Sequence, residues 1–347
     1  MAMIEIDGGQ GGGGVLRTAI GLALATGRPV RVDDVRGDRP EPGLKPQHVA
    51  CVDAARQVSD GTVTGDGLGS ETVEFTPGSI EGVPVDVDVG TAGSATLVCS
   101  TVLPAAAAAE GTVTLHVTGG TDVAWSPPAD YFGGVTVAVL RAHGLAAALD
   151  VIRRGFYPVG GGTLGLTFGP STLEPLSLDG RPSADRARIA AVASNDLLDA
   201  DVADRLARTA DERLAEHGLR VVSRGAEYVD SASTGAVVVV RIESAHGSTG
   251  PRPVAGFSAL GEPGVPAEEV ATAAVEDLRE WTDGSGVVDR HLADQLVPYL
   301  ALAGGAVRIP EVTDHVESAV SVAREFGFDV AIDRDTEVGG VLLRAAR

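Results

Sequence analysis

Apolar residues recur at three- and four-residue spacing over residues 15–26, then alternate with polar ones over 29–35. The first spacing predicts a helix and the second a half-buried strand, with Gly27 as the break between them. After a polar loop at 36–46, helical spacing returns near 47–59, followed by short strand-like runs at 61–64 and 72–76. The same order then repeats. A helix near 92–109 leads to a strand at 112–117, a loop at 118–128, a helix near 129–143, and strands at 147–153 and 162–168. A third set comprises a helix near 289–303, a strand at 306–309, a loop at 310–314, a helix near 315–326, and strands near 329–333 and 339–345.

Between the second and third sets the pattern is interrupted. Residues 184–283 hold a strand-like run at 188–193, a helix at 200–217, strands at 219–223 and 236–243, and a helix at 267–281. Turn-rich stretches, Asp179-Gly180-Arg181-Pro182 and Asp283-Gly284-Ser285-Gly286, flank it. The expected fold is α/β, of the α+β kind. Three repeated α/β units, each a small sheet with two helices, occupy 1–183 and 284–347, and a smaller α/β domain is inserted at 184–283.

Charge narrows the setting. The chain of 347 residues carries a formal net charge of −21, and Lys45 is its only lysine. Many carboxylates, little lysine and abundant small residues read as adaptation to concentrated salt, where carboxylates keep a screened surface hydrated. An ordinary acidic enzyme from a GC-rich genome is the plainer alternative. The negative balance disfavours diffuse nucleic-acid binding, yet a local arginine cluster can still grip phosphate. Cys51 and Cys99 are too few for a disulfide framework or a zinc site and read as core thiols of a reducing compartment. Residues 1–7 lack the basic and apolar regions of a signal peptide, and the apolar run at 97–109 is too short to span a bilayer. The expected location is the cytoplasm.

Several segments carry candidate chemistry. Thr313-Asp314-His315 opens a predicted helix, which puts an imidazole among the free amides of a first turn. Neutral imidazole is a competent nucleophile at phosphorus, and those amides favour bound phosphate; a cap or a packed residue is the bland alternative. Asp7-Gly8-Gly9-Gln10-Gly11-Gly12-Gly13-Gly14-Val15-Leu16-Arg17 links a short strand to a helix. Such a loop either lets backbone amides approach phosphate or is only a tight turn, and it lacks the lysine of a P-loop. Arg36 and Arg39, followed by Pro42-Gly43-Leu44-Lys45-Pro46-Gln47-His48, form a stiff loop that with Arg17 can clamp phosphate, or else a solvated loop paired with acids.

Gly119-Gly120-Thr121-Asp122 and Ser126-Pro127-Pro128-Ala129-Asp130-Tyr131 form the matching loop of the second unit, where Tyr131 either stacks on a base or packs on its own helix. His291-Leu292-Ala293-Asp294-Gln295 starts the first helix of the third unit, and Asp294 and Gln295 there either face a ligand or are plain first-turn residues. On the residues alone His48, His116, His143, His217 and His246 read as structural or exposed.

Taken together, these segments resemble the RNA 3′-terminal phosphate cyclases over nearly the whole chain. The resemblance rests on Asp7-Gly8 with Gln10 and the glycine run through Leu16-Arg17, and on Pro42-Gly43-Leu44 with Gln47-His48. It continues through Gly119-Gly120-Thr121-Asp122, Pro127 with Asp130, and Gly155-Phe156-Tyr157-Pro158 with Gly160-Gly161-Gly162, and ends on Asp294-Gln295-Leu296 and His315. It implies ATP-dependent conversion of an RNA 3′-terminal phosphate to a 2′,3′-cyclic phosphate through a histidine-AMP intermediate and an RNA-adenylate. His315 matches the nucleophile. His291, Leu292, Ala293, Asp294, Gln295, Pro127 and Tyr131 match nucleotide contacts. Arg17, Arg36, Arg39, Gln47 and His48 are the expected contacts to the phosphorylated end. ATP and a divalent cation, magnesium or manganese, are implied as cofactors, and RNA with a 3′-terminal phosphate as partner.

Three positions depart from the family pattern. The glycine run has no glutamate, which leaves the metal ligands unassigned. Ser100 replaces a common glutamine, and His291 replaces a common tyrosine, which also makes His291 a rival for histidine chemistry. A noncatalytic cyclase-like RNA-binding protein of ribosome assembly and an enolpyruvyl transferase are the alternatives, and His315 counts against both.

Overall fold

The structure is a computed structural model that describes residues 2–180, 184–244, 252–334 and 339–346; the Arg181-Pro182 turn and His246 lie outside these. Strand β1 (Ile4–Asp7) buries Ile4 and Ile6 and exposes the two acids between and after them. It leads into α1 (Gly13–Thr26), which stops where Gly27 adopts φ 65°, a left-handed conformation that costs glycine no Cβ clash. Strand β2 (Val30–Asp33), helix α2 (Pro46–Val58), β3 (Thr62–Thr64) and β4 (Val73–Thr76) follow. They form a sheet of order β1-β2-β4-β3, in which β1 and β2 are parallel and the other pairs antiparallel.

A second sheet is built from β5 (Pro84–Asp88), β6 (Val113–Gly119), β7 (Ala147–Arg153) and β8 (Gly162–Phe168), in the order β5-β6-β8-β7. Again the first pair is parallel and the others antiparallel. The expected helix at 92–109 is divided. Ser94 caps α3 (Ala95–Val102), and a 3-10 turn, Leu103–Ala107, completes the segment. Pro104 has no amide to donate to Ser100, so the regular ladder cannot run on. The next helical segment is also composite. It runs through α4 (Ala129–Tyr131), a π-helical stretch Phe132–Val137 and α5 (Ala138–Arg141).

Strand β9 (Leu176–Leu178) comes next. The chain then forms β10 (Ala184–Ser194), α6 (Val202–Glu216), β11 (Arg220–Val229), β12 (Ala236–Ser244), β13 (Arg252–Leu260) and α7 (Ala267–Asp283). Their sheet has the order β11-β10-β12-β13, and α6 and α7 cover one face around Leu206, Leu214, Val270 and Leu278. Helix α8 (Arg290–Ala303), β14 (Gly305–Ile309), α9 (Asp314–Glu325), β15 (Val330–Asp333) and β16 (Val341–Ala345) complete the chain. Here β9 returns as the parallel neighbour of β14, and the order is β9-β14-β16-β15 with the remaining pairs antiparallel.

The described residues thus form a mixed α/β fold with four four-stranded sheets and flanking helices. Helices α1, α2, α3, α8 and α9 pack together in one large core, which Val192, Val237 and Val239 of the β10–β13 sheet also join. Strands β5, β9 and β13 go beyond the sequence expectation. Among the described residues no helix is long and apolar enough to cross a membrane.

Candidate functional site

Three helix starts and a loop meet at the glycine loop. Gly11 and Gly12 take φ 95° and 62°, and Gly12 caps α1, so the backbone turns there in a conformation that side chains rarely adopt. The surroundings explain why Gly13 also lacks a side chain. A Cβ on Gly13 would stand 2.3 Å from His48 Nε2 and 3.0 Å from Arg17 Nη1. One on Gly14 would stand 3.6 Å from His315 Nδ1, and one on Gly12 would stand 3.0 Å from Arg39 Nη2. The start of α1 is therefore ringed by two imidazoles and two guanidiniums drawn from α1, α2, α9 and the loop after β2.

Each of these groups is held for a local reason. Thr313 caps α9, its hydroxyl accepting from the Val316 amide at 3.3 Å, so His315 sits in the first turn as the sequence predicts. Partial burial, then the nearby Arg17 and Arg39 charges, lower the proton affinity of His315 below the ordinary 6.5, with Asp314 opposing. The ring is neutral at pH 7 and keeps a free lone pair. Arg17 is partly buried with no ion-pair partner among the described residues; burial lowers its proton affinity, and Asp294 counters this.

Arg39 is exposed and likewise unpaired among the described residues. His48 is buried, and its Nδ1 accepts from the Lys45 amide at 3.1 Å. That bond assigns the proton to Nε2, which points at the glycine loop. Burial, followed by Arg17, Arg36 and Lys45, pushes the His48 pKa down to about 3, so it too is neutral and offers a donor.

A pocket opens from this ring between α1, α3, α8 and α9, bordered by Arg17, Ser100, Asp294, Gln295, Tyr299 and His315. Burial pushes the Asp294 carboxyl up to about 6, while Arg17 pulls it the other way. Gln295 is braced at both ends, accepting from Thr136 Oγ1 at 2.8 Å and donating to the His291 carbonyl at 2.6 Å. Burial raises the Tyr299 phenol, which stays protonated, and its hydroxyl has no protein partner among the described residues. Sequence reasoning missed Tyr299 and Thr18, which sit in apolar helical patterns that read as core. Ser100 was noted only as a departure, and its place on the pocket wall follows from the packing of α3 against α1.

Other expected contacts lie elsewhere. Leu292 and Ala293 are fully buried, and the His291 ring is exposed at the start of α8, away from the pocket. The Arg36 guanidinium donates to the carbonyls of Glu41 and Gly43 at 2.9 and 2.8 Å, so it shapes the loop that carries Arg39. Gln47 accepts from the Ser94 amide at 2.8 Å and ties α2 to the start of α3. Pro127 accepts from Thr96 Oγ1 at the same joint. Tyr131 is 2% exposed, which removes base stacking from its roles. Its hydroxyl instead donates to Asp289, at 2.7 and 2.9 Å to the two carboxylate oxygens. Asp289 also accepts from the amides of Gly256, His291 and Leu292, so it caps α8 and joins that cap to β13.

No group of three or more His, Cys, Asp or Glu side chains suited to a cation occurs among the described residues. Cys51 and Cys99 are buried free thiols, and burial raises both.

Comparison with known proteins shows the family of the chain. The pattern of the RNA 3′-terminal phosphate cyclases matches residues 8–332. An RNA 3′-terminal phosphate cyclase of Halobacterium salinarum is 41% identical over 99% of this chain and 100% of its own. Those of Thermococcus gammatolerans and Pyrococcus furiosus are 42% and 38% identical, covering 94% and 93% of this chain and 93% of each relative. The chain belongs to the RNA 3′-terminal phosphate cyclase family and is an enzyme of that family.

Proposed function

We propose that this enzyme uses ATP to convert an RNA 3′-terminal phosphate to a 2′,3′-cyclic phosphate, with His315 as the nucleophile. The observation that carries the reading is the neutral His315 imidazole facing the starts of α1 and α9, beside Arg17, Arg39 and the Nε2 donor of His48. The His315 nitrogen attacks the α-phosphorus of ATP; a nitrogen–phosphorus bond forms, the bond to the bridging oxygen breaks, and pyrophosphate leaves. An oxygen of the RNA 3′-phosphate then attacks the same phosphorus, which frees His315 and gives an RNA-adenylate. The neighbouring 2′-hydroxyl attacks the activated 3′-phosphorus, loses its proton, and releases AMP.

The protein's part is positioning and charge neutralisation. First-turn amides of α1 and α9 favour the phosphate charge, Arg17 and Arg39 offset it, and the nearby Asp294 charge supports the protonated state of Arg17. Magnesium or manganese would be held chiefly by ATP's own phosphates, since the described residues offer no carboxylate cage.

The three sheets other than β10–β13 share one strand order and one sense of pairing. We read them as three copies of one unit, within a large domain of residues 1–183 and 284–347, and 184–283 as a domain inserted between β9 and α8. The acid-rich composition supports a salt-rich cytoplasm as the working environment.

The test is incubation with ATP labelled on the α-phosphate, in concentrated potassium chloride with magnesium or manganese. Acid-labile, alkali-stable label on the wild-type protein but not on His315→Ala supports the reading. Equal labelling of His315→Ala rejects His315, and no labelling of the wild type under any salt or metal condition favours a noncatalytic RNA-binding relative.

A further inference from the structure

The β10–β13 sheet has one face covered by α6 and α7 and another that turns toward the second sheet. Paired residues on neighbouring strands share a face, so the register shows what the second face carries. One row across the sheet reads Arg220, Arg186, Glu243; the next reads Ser223, Arg188, Arg241, Gly256. Four arginines thus stand on one side of three neighbouring strands, β11, β10 and β12, in a chain of net charge −21.

Their only acid on these two rows is Glu243, whose Oε1 lies 2.7 Å from Arg188 Nε and 3.4 Å from Arg241 Nη2. Arg186 and Arg220 have no ion-pair partner among the described residues, and the buried Arg241 Nε and Glu243 Oε2 lack hydrogen-bond partners there. Glu227 lies further along the face, level with Val192. At that end Val192, Val237 and Val239 pack into the main core. Between this sheet and β7 lies a cleft of about 400 Å³, walled by Leu149 and Val151 on one side and by Arg188, Ser223 and Arg241 on the other. Asp130 on the opposite wall is already paired with Arg154 at 2.6 Å.

We infer that this cleft binds the backbone phosphates of the substrate RNA upstream of its reacting end. A row of guanidiniums with surplus charge beside an apolar floor suits a polyanionic single strand, with phosphates on the arginines and a sugar or base against Leu149 and Val151. The cleft is also joined to the candidate site through the protein framework. The Arg188–Arg241 row ends on Gly256, whose amide donates to Asp289, the cap of α8, and α8 carries Asp294 into the pocket. The inference rests on the RNA reading above and extends it from the terminal phosphate to the body of the strand.

Binding, not turnover, gives the test, so that loss of catalysis and loss of the cleft can be told apart. Fluorescence anisotropy would compare a labelled 3′-phosphorylated RNA of about twenty nucleotides, longer than one site, with a tetranucleotide. It would use wild type, Arg220→Glu and the double variant Arg188→Gln/Arg241→Gln across a potassium chloride series, with thermal melting to check folding. Arg220 is exposed and has no ion-pair partner among the described residues, so Arg220→Glu guards against a folding defect in the double variant. The expected result is about tenfold weaker binding of the long RNA, a shallower salt dependence, and unchanged binding of the tetranucleotide. Unchanged long-RNA binding in a folded Arg220→Glu protein, or an equal loss for both lengths, overturns the inference. A wild type that binds the long RNA through these arginines yet never adenylylates itself refutes the proposed reaction and leaves the cleft standing.

Discussion

The Nε2 atom of His48 occupies the place where a side chain on Gly13 would begin, 2.3 Å from a Cβ built there. The ring cannot simply retreat, because it is buried and its other nitrogen is bonded to the Lys45 amide. Gly13→Ala therefore has to displace either the ring or the start of α1. We expect a stability loss of about 1–3 kcal/mol from overpacking and at least a tenfold fall in self-adenylylation, since α1 would move relative to His315. Melting curves and labelling with α-labelled ATP measure the two effects.

His48 also makes stability depend on pH. Its folded pKa, about 3, lies below the ordinary 6.5. Below pH 6.5 the unfolded chain takes up a proton that the folded chain refuses, so this contribution is full above 6.5 and is lost as pH falls toward 3. The slope is roughly 1.4 kcal/mol per pH unit for one proton. Denaturant unfolding of wild type and His48→Asn, whose amide oxygen can still accept from Lys45, should give a steeper acid decline in the wild type. Parallel curves would mean that His48 is protonated in the folded protein.

His315 is depressed in the same direction, by burial and by Arg17 and Arg39. The rate of self-adenylylation should accordingly stay level from pH 8 down through 6.5 and fall only below that, where the ring gains its proton. Replacing Arg39 by alanine removes one of the two repelling charges, so the acid limb should move upward. A limb centred above 6.5 in the wild type would contradict the electrostatic picture.

Arg36 and Arg39, three residues apart, should separate cleanly. Arg36→Ala removes two bonds to loop carbonyls and should cost about 1–2 kcal/mol of stability, with activity falling as the loop loosens. Arg39→Ala should leave the melting temperature unchanged and weaken use of the phosphorylated RNA end at least fivefold, as a rise in KM. Equal thermal effects would show that the second guanidinium is structural too.

Asp289 collects donors from three parts of the chain, and an amide cannot serve them all. Asp289→Asn turns an NH2 group toward a phenol or a backbone amide and should destabilise the protein by about 2–4 kcal/mol. It should also raise the KM for ATP by fraying the first turn of α8. Tyr131→Phe, which removes one donor only, should show a smaller version of both effects.

The long amphipathic elements were legible in the sequence because each carries its own period: α1, α2, α6, α7 and α9 lie within two or three residues of expectation. Strand β9 was not, because three residues show no alternation worth reading. The division of the 92–109 helix was written in Ser94 and Pro104 but was masked by continuous apolar composition. At the site, His315, Arg17 and Arg39 could be picked out by type and position. The roles of Arg36, Gln47 and Tyr131 could not, since whether a polar group faces a ligand or a carbonyl is decided by neighbours that are distant in sequence. Tyr299 and Thr18 were hidden for the converse reason: they look like core until α1, α3, α8 and α9 converge.

The pairing of β9 with β14 has a bearing on how the molecule is made. Leu178 and Val307 are neighbours in the finished sheet, yet the whole β10–α7 segment is synthesised between them. The first two sheets close over short loops and can form as they leave the ribosome, whereas this one must wait for a distant partner and a costly loop closure. His315 follows later still, on α9. His315 therefore joins its surroundings near the end of folding, after the glycine loop and its arginines are in place, and a nascent chain gathers Arg17, Arg39 and His48 around the start of α1 before α9 exists.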